Sequence, residues 1–128
     1  MSIILSLIAK FPDIVLCEYS EFVGNFPQIT RVVLQKLKPN SKYSVEYDKH
    51  KYYYINENKI TYLCLSDGIS DEAAFAFLGD LKKKLLQNYE IEKILSLNAN
   101  QLKGFTEDLK TLMVFFLIKI FFYKKILN

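Results

Sequence analysis

Apolar and polar positions in the first part of the chain follow the spacing of β-strands. Two apolar runs, 3–9 and 14–19, are separated by Phe11-Pro12-Asp13, a combination of residues typical of turns. Apolar runs of this length on either side of a turn are typical of paired antiparallel strands. The pattern therefore predicts a β-hairpin at the start of the chain.

Three more strands are predicted between residues 43 and 65. The first of them alternates, with Tyr43, Val45 and Tyr47 on one face and polar residues on the other. The predicted strands are 43–48, 51–55 and 60–65, joined by polar turns at 48–50 and 56–58. Short polar connections of this kind predict an antiparallel meander.

Helical spacing occurs between these strands and after them. The first helix is predicted to begin at the N-cap Asn25 and to end at Lys38-Pro39-Asn40, because proline does not continue a helix. Its apolar face consists of Ile29, Val32, Val33 and Leu37. The second helix is predicted to begin at the N-cap Ser70 and to end near Tyr89, with its apolar face at Ala74, Phe77, Leu78, Leu81 and Leu85. A short turn at 91–97 and a last helix capped near Thr106 follow, the latter with apolar positions Phe105, Leu109 and Leu112.

The order of predicted elements is ββαβββαα, which defines an α+β fold. Strands 3–9 and 60–65 are apolar on both alternating faces, so they are expected in the middle of a sheet that is covered on both sides. The first helix then covers one face and the later helices cover the other. We expect a five-stranded antiparallel sheet between helices, with strand 43–48 at its edge.

Composition places the chain among single globular domains. It has 128 residues, of which 51% are hydrophobic, and its net charge of +3 is too weak and too dispersed to indicate a nucleic-acid partner. Cys17 and Cys64 lie within apolar strands, which predicts buried thiols in a reducing compartment. The first residues lack the basic region of a signal peptide and are interpreted as a strand.

The sequence shows no constellation of residues that carries enzymatic chemistry. His50 is the single histidine and lies in a polar turn, so it does not form an evident pair with either cysteine. The acidic residues Asp71, Glu72 and Asp80 are interpreted as a solvated helix face rather than an acid–base pair. There is no glycine-rich phosphate loop and no zinc-ligand spacing. We expect no catalytic activity, no metal, no cofactor and no small-molecule substrate.

Several segments, taken together and in this order, carry a family resemblance. They are the opening strand at Met1, Gly24-Asn25-Phe26 before the first helix, the strand ITYLCL at 60–65 after the turn NENK, and the helix AFAFLGDLKKKLLQNY at 74–89. Over residues 1–112 the chain resembles the longin domain of longin-type R-SNAREs, the long vesicle-associated membrane proteins related to synaptobrevin. The resemblance implies a profilin-like longin fold with the same ββαβββαα order.

The resemblance also implies a regulatory role in vesicle traffic and membrane fusion. In that family the domain binds a SNARE coil, its own or a cognate one, or trafficking adaptors, through a surface between the first helix and the third strand. By position, the groove residues here are Leu34, Leu37, Tyr43, Val45 and Tyr47. The implied location is the cytoplasmic face of vesicle, endosomal or Golgi membranes. The chain's own pattern agrees, because the apolar arc of the first helix is about twice the ~100° that one core contact needs.

Two alternatives remain open at this point. Leu34 could pack on the final helix or a loop, in which case no groove exists. The chain could also be a longin-fold subunit of a tethering or adaptor complex, since such proteins share the fold; what distinguishes an R-SNARE is a coil with a central arginine and a membrane anchor.

Residues 113–128, MVFFLIKIFFYKKILN, form an apolar and basic tail beyond the expected domain 1–112. They contain no heptad repeat and no arginine, and the apolar run is about 18 Å long as a helix, shorter than a ~30 Å hydrocarbon core. Three interpretations stay open: the tail extends the last helix and packs on the core, it is an interfacial membrane anchor, or the gene model reads past a splice junction. We expect residues 1–112 to fold alone with a similar melting temperature, and the full chain to bind lipid or self-associate.

Overall fold

A computed structural model describes residues 2–127 of the chain, with the side chains of residues 2–126. Met1, which opens the resemblance, and Asn128, which ends the tail, lie outside the described residues. The strands are β1 (Ser2–Lys10), β2 (Ile14–Ser20), β3 (Ser41–Tyr47), β4 (His50–Glu57) and β5 (Ile60–Asp67). The helices are α1 (Phe26–Leu34), α2 (Asp71–Asn88), α3 (Ile91–Leu95) and α4 (Thr106–Leu127), with a 3-10 turn at Lys103–Phe105 before α4.

Within residues 2–127 the five strands form one antiparallel sheet in the order β2-β1-β5-β4-β3. The strands β5 and β1, which are apolar on both faces, lie at and beside its centre, and β3 lies at an edge. Helix α1 covers one face and α2, α3 and α4 cover the other. The predicted α+β architecture and its ββαβββαα order are confirmed, with α3 as an additional short helix.

Two tight turns determine the register of the β3–β4–β5 meander. Asp48 and Lys49 both have positive φ, as do Asn58 and Lys59. Two consecutive positive-φ residues form the two-residue hairpin turn whose twist matches that of the strands. The turns are therefore shorter than the predicted segments 48–50 and 56–58. The register matters for function, since a slip by one residue would move every side chain of β3 to the other face.

The core on the α1 side of the sheet is formed by one helix and four strands. From α1 and the turn after it come Val33, Leu34 and Leu37. The strands contribute Ile4, Leu5, Leu7, Ala9, Val15, Tyr52, Tyr54, Leu63 and Leu65. Helix α1 is the helix that covers this face, so its inner side supplies the apolar side chains that pack on the sheet there. On the opposite face several helices share this role.

Both predicted N-cap residues stand at the start of their helices, but only one of them forms a capping hydrogen bond. Ser70 caps α2 as predicted, since its hydroxyl oxygen accepts a hydrogen bond from the Ala73 amide at 3.1 Å. Asn25 precedes α1, but its side chain makes no capping bond in the described structure. Helix α1 ends at Leu34, four residues before Lys38. The amides of Lys36 and Leu37 bond three residues back, which tightens the chain into a turn ahead of the proline.

Helix α4 continues without interruption past Leu112. Met113 is buried, and its sulfur accepts a hydrogen bond from the Ser6 hydroxyl at 3.2 Å. One turn later, Phe116 packs edge-on against Phe77 of α2, with ring centroids 5.5 Å apart. The division into residues 1–112 and 113–128 stays a proposal, and contact with the core extends at least one turn beyond Leu112. No helix among residues 2–127 combines the length and apolar character needed to cross a membrane.

Candidate partner-binding surface

The exposed face of the edge strand β3 is apolar. Tyr43, Val45 and Tyr47 pair with Tyr54, Tyr52 and His50 of β4 respectively. Residues directly opposite each other in a sheet share a face, and Tyr52 and Tyr54 belong to the core under α1. The three β3 side chains therefore lie on the α1 face, where they are 54%, 38% and 47% exposed. We call Tyr43, Val45 and Tyr47 the β3 strip.

Contacts with β4 hold the β3 strip in place. The Tyr43 ring lies 6.3 Å from the Tyr54 ring, and the Tyr54 hydroxyl accepts a hydrogen bond from the Ser41 hydroxyl at 3.1 Å. Within the described chain β3 pairs only with β4, so its outer edge presents free backbone donors and acceptors. An edge of this kind can add a strand or seat another apolar segment.

Polar contacts on both sides fix the position of α1 relative to the strip. The buried Thr30 hydroxyl donates to the Phe26 carbonyl at 2.7 Å and lies 2.9 Å from the Tyr52 hydroxyl, which ties α1 to β4. On the other side, the Arg31 guanidinium donates two hydrogen bonds, of 3.0 and 2.7 Å, to the Glu18 carboxylate of β2. A forked pair of this kind fixes orientation as well as distance.

Two of the groove residues predicted from the sequence lie in the core. Leu34 is 1% exposed and Leu37 is 8% exposed, and both pack in the core between α1 and the sheet. The expectation that they face a groove therefore does not match their burial. The reason is that α1 has to cover its face of the sheet, and the edge of its apolar arc that carries Leu34 packs inward.

The edge of α1 that faces β3 carries different residues. Arg31 points toward β2, and Leu34 follows it by three residues, so Leu34 lies on the same side. At 100° per residue, Ile29 lies about 160° from Arg31 and therefore faces the β3 side of the helix. Val32, next to it on the outer surface, is 51% exposed. Ile29, Val32 and Leu34 belong to the same apolar arc of α1. The sequence alone does not indicate which edge of that arc packs on the sheet.

The basic side chain of Lys38 borders the β3 strip. The Lys38 ammonium lies 6.0 Å from the centre of the Tyr43 ring, at the limit of a cation–π contact. Lys36, two residues earlier, is exposed. The surface can thus accept an apolar segment that carries acidic residues along one side.

A cavity of about 690 Å³ lies away from the β3 strip, between the start of α2 and the second half of α4, lined in part by Ala73, Ala76, Phe77, Phe116 and Ile120. None of the site residues predicted from the sequence lines it. The β3 strip is an open surface, which fits a protein segment better than a small molecule.

The residues that could carry chemistry are dispersed. His50 contacts the Asp48 carbonyl and the Phe26 ring. Burial raises the pKa of the Cys17 thiol to about 12 and that of the Cys64 thiol still further, so both thiols remain protonated and unreactive at neutral pH. Residues 2–127 contain no group of three or more His, Cys, Asp or Glu residues that could hold a metal ion. The absence of catalysis stays a prediction.

Asp71 is exposed, as its interpretation as part of a solvated face predicts, and it also joins a hydrogen-bonded cluster. Asp71 accepts hydrogen bonds from the Tyr53 hydroxyl at 2.6 Å and from Lys51 at 2.9 Å. The bond from Tyr53, followed by that from Lys51, lowers the pKa of Asp71. Burial, together with the neighbouring carboxylate, raises the pKa of Tyr53. The cluster attaches the start of α2 to β4, a structural role that sequence spacing does not reveal.

Comparison with known families gives a match over most of the chain. The model of the family Longin, described as a regulated-SNARE-like domain, matches residues 16–109. The matched region runs from β2 through the first turn of α4 and includes the whole β3 strip and α1.

Curated proteins with similar sequences carry related names. Vesicle-associated membrane protein 7B of Dictyostelium discoideum is 33% identical over 115 residues, which cover 88% of this chain and 44% of the relative. Vesicle-associated membrane protein 722 of Arabidopsis thaliana is 34% identical over 112 residues, covering 85% and 50%. Vesicle-associated membrane protein 7 of Mus musculus is 30% identical over 91 residues, covering 70% and 41%. The chain thus spans half or less of the length of these relatives.

Proposed function

This chain belongs to the longin family of regulated-SNARE-like domains, and we propose that it controls SNARE assembly and sorting by binding an R-SNARE coil across the β3 strip. The premise is the family, since relatives with similar sequences are named vesicle-associated membrane proteins. The regulatory role, the partner and the surface are the proposal. The observation that carries it is the exposed apolar face of β3 beside α1.

The shape of the surface suits an amphipathic coil. The β3 strip presents two tyrosines and a valine along about 14 Å of edge strand, at ~3.4 Å per residue. An amphipathic helix presents apolar residues at i, i+3, i+4 and i+7 on one side. Such a face would rest on the strip, with Ile29 and Val32 of α1 on its other side. Aromatic side chains are the residues that most often anchor interfaces.

Charge would set the orientation of the coil. Lys38 lies beside the strip, and both it and Lys36, two residues earlier in the chain, are exposed. Acidic residues on the flank of the coil would meet them, while its apolar face would cover Tyr43 and Val45. Rim charges of this kind steer association and fix register more than they add affinity.

Regulation follows from competition for one face of the coil. SNARE coils associate through apolar positions that repeat along a heptad. The same positions would be covered while the coil lies on the β3 strip. Binding to this domain and entry into a coiled-coil bundle would then exclude each other, and release of the coil would permit assembly.

Trafficking adaptors are the second class of partner that this surface would serve. An adaptor that competes for the β3 strip would link sorting to the free or occupied state of the domain. The proposed location is the cytoplasmic face of vesicle, endosomal or Golgi membranes.

Isothermal titration calorimetry with an R-SNARE coil peptide tests the proposal. The double variant Tyr43→Ser with Val45→Ser should weaken binding by about 2 kcal/mol or more, roughly a 30-fold loss of affinity, because it removes an aromatic anchor and its neighbour. The matched control is Ser44→Ala with Glu46→Gln, which alters the opposite face of the same strand. Equal affinity for the folded double variant and the control would place the binding surface elsewhere.

A further inference from the structure

From Val114 onward, α4 presents a row of apolar side chains that the domain leaves uncovered. Val114, Phe115, Ile118, Phe121 and Phe122, here called the outer face of α4, are between 43% and 62% exposed. We propose that the outer face of α4 lies in the headgroup region of an anionic lipid bilayer and holds the domain on the membrane surface. This inference concerns a different surface from the β3 strip and does not depend on it.

The inner face of α4 fixes the direction in which the outer face points. Met113 is buried against Ser6 of β1, and Phe116 packs on Phe77 of α2. At 100° per residue, Phe122 lies about 180° and Phe115 about 160° from Met113 around the helix. Up to Phe116 the helix is attached to the domain along one side and can meet a bilayer there only with the opposite side, whereas residues 121–126 are exposed on all sides. The outer face is therefore oriented for shallow insertion parallel to the surface.

The length and composition of the outer face fit an interfacial helix. Residues 114–126 extend about 20 Å at 1.5 Å per residue. The side chains that face outward are mostly large and aromatic, and such residues gain most when their surface leaves water. An uncovered apolar row of this extent is typical of a surface that meets another apolar phase or partner.

Charge favours an anionic lipid as the occupant. Lys125 follows the apolar row at its C-terminal end, Lys119 and Lys124 lie on the sides of the helix that also line the cavity beside α2, and the sequence from Leu109 to Leu127 contains no acidic residue. Lys119 lies 3.7 Å from the Asp80 carboxylate, but its side chain is 73% exposed. Long lysine side chains can bury their stems beside an apolar face while their ammonium groups reach the phosphates and carboxylates of lipid headgroups.

The same charge disfavours a second copy of this chain as the occupant. Two α4 helices that pair through their outer faces bring lysines from both copies to the same contact. The acidic residues of the helix, Glu107 and Asp108, lie in its first turn, next to the domain and before the exposed row begins. A lipid surface of opposite sign balances these charges, whereas a second copy does not.

Vesicle flotation of the full chain tests the proposal. The probes are vesicles of phosphatidylcholine alone and vesicles of equal parts phosphatidylcholine and phosphatidylserine. We expect binding to the second kind, weakened by added salt. The variant Phe115→Ser with Phe122→Ser should lower the partition coefficient by at least about tenfold, since two exposed aromatic side chains no longer insert. The variant Lys124→Gln with Lys125→Gln should lower it on the order of 25-fold, at about fivefold per lysine.

Two controls separate the outer face from general effects. The variant Lys83→Gln with Lys84→Gln removes the same charge from the exposed side of α2 and should reduce binding much less. The variant Tyr43→Ser with Val45→Ser should bind vesicles normally, so failure of the β3 strip and failure of α4 can be told apart. Unchanged melting temperatures would show that each variant is folded.

Three outcomes would overturn the proposal. The first is equal flotation with neutral and anionic vesicles, or with neither. The second is equal loss of binding in both lysine variants, which would indicate a diffuse charge effect. The third is a dimer in sedimentation velocity that the Phe115→Ser with Phe122→Ser variant converts to a monomer in the absence of vesicles, which would identify a second copy as the occupant.

Discussion

Replacing Leu34 with alanine tests how α1 is seated on the sheet. The side chain is 1% exposed and packs within the core that α1 shares with β1, β2, β4 and β5. Removing a buried leucine loses about 1.5–3 kcal/mol of transfer free energy, and the cavity left behind adds to this, for a total of about 2–5 kcal/mol. Its neighbours are held by the hydrogen-bonded sheet and cannot collapse into the space. We therefore expect Leu34→Ala to lower the free energy of unfolding by about 3 kcal/mol.

The assay is urea unfolding followed by far-ultraviolet circular dichroism, which needs no tryptophan. The matched control is Val32→Ala, two residues earlier on the same helix, with a side chain that is 51% exposed. A surface change of this kind should alter stability by no more than about 0.5 kcal/mol. A Leu34→Ala variant as stable as the wild type, with Val32→Ala strongly destabilised, would show that the helix is rotated from the position described here.

Three further predictions concern other parts of the molecule. In place of the similar melting temperature expected from the sequence, a chain that ends at Leu112 should lose about 2–4 kcal/mol in thermal and urea unfolding, because it lacks the buried Met113 and the Phe116–Phe77 contact. A chain that ends at Ile120 should be nearly as stable as the full chain. Burial raises the pKa values of Tyr53, Tyr62 and Cys64, so their contribution to the free energy of unfolding is complete below the ordinary thiol pKa of 9.0 and should be lost as the pH rises above it. The pKa of Asp71 is lowered, so its contribution to stability should be lost as the pH falls below the ordinary carboxyl pKa of 3.8. Melting temperatures that are flat from pH 7 to 11 would contradict the first assignment, and an Asp71→Asn variant that keeps the wild-type acid transition would contradict the second. Tyr52→Phe removes the hydroxyl that meets Thr30 and should cost about 1 kcal/mol, a change that calorimetric unfolding would detect.

The sheet can be predicted from the sequence because its signals are local and several of them agree. Strands β1 and β5 are apolar on both faces, and this property alone predicts their place at the centre. The alternation of Tyr43, Val45 and Tyr47 places these residues on one face, and the edge position of their strand follows because β1 and β5 occupy the centre. Ser70 marked the start of α2 because a capping hydroxyl acts within three residues.

The errors arose where distant parts of the chain decide the outcome. The apolar arc of α1 contains Leu34 and Val32, and which of them faces inward depends on contacts such as that between Arg31 and Glu18 across the sheet. Asn25 had the right side chain for a cap, yet its bond was not formed. The sequence predicts longer turns at Asp48-Lys49 and Asn58-Lys59 because lysine stands where the glycine of the usual Asp-Gly or Asn-Gly pair would be.

The continuation of α4 is a second case in which the sequence alone does not determine which residues are buried. Its sequence is apolar on every side, so periodicity does not reveal which residues pack and which remain exposed. The distinction comes from the position of β1 and α2, which contact Met113 and Phe116 and leave Phe115 and Phe122 uncovered. Sequence reasoning could identify the excess of apolar surface but not the face on which it lies.

The most direct test of the proposed function is a nuclear magnetic resonance titration of the isotope-labelled chain with an unlabelled R-SNARE coil peptide. We expect the largest amide shift changes in β3, at Tyr43, Val45 and Tyr47, and along the Ile29–Val32 edge of α1, with little change in α2. Saturable changes centred on α2 and α4 with β3 unaffected, or no changes at peptide concentrations well above those of the protein, would contradict the proposal that this domain holds a SNARE coil on the β3 strip.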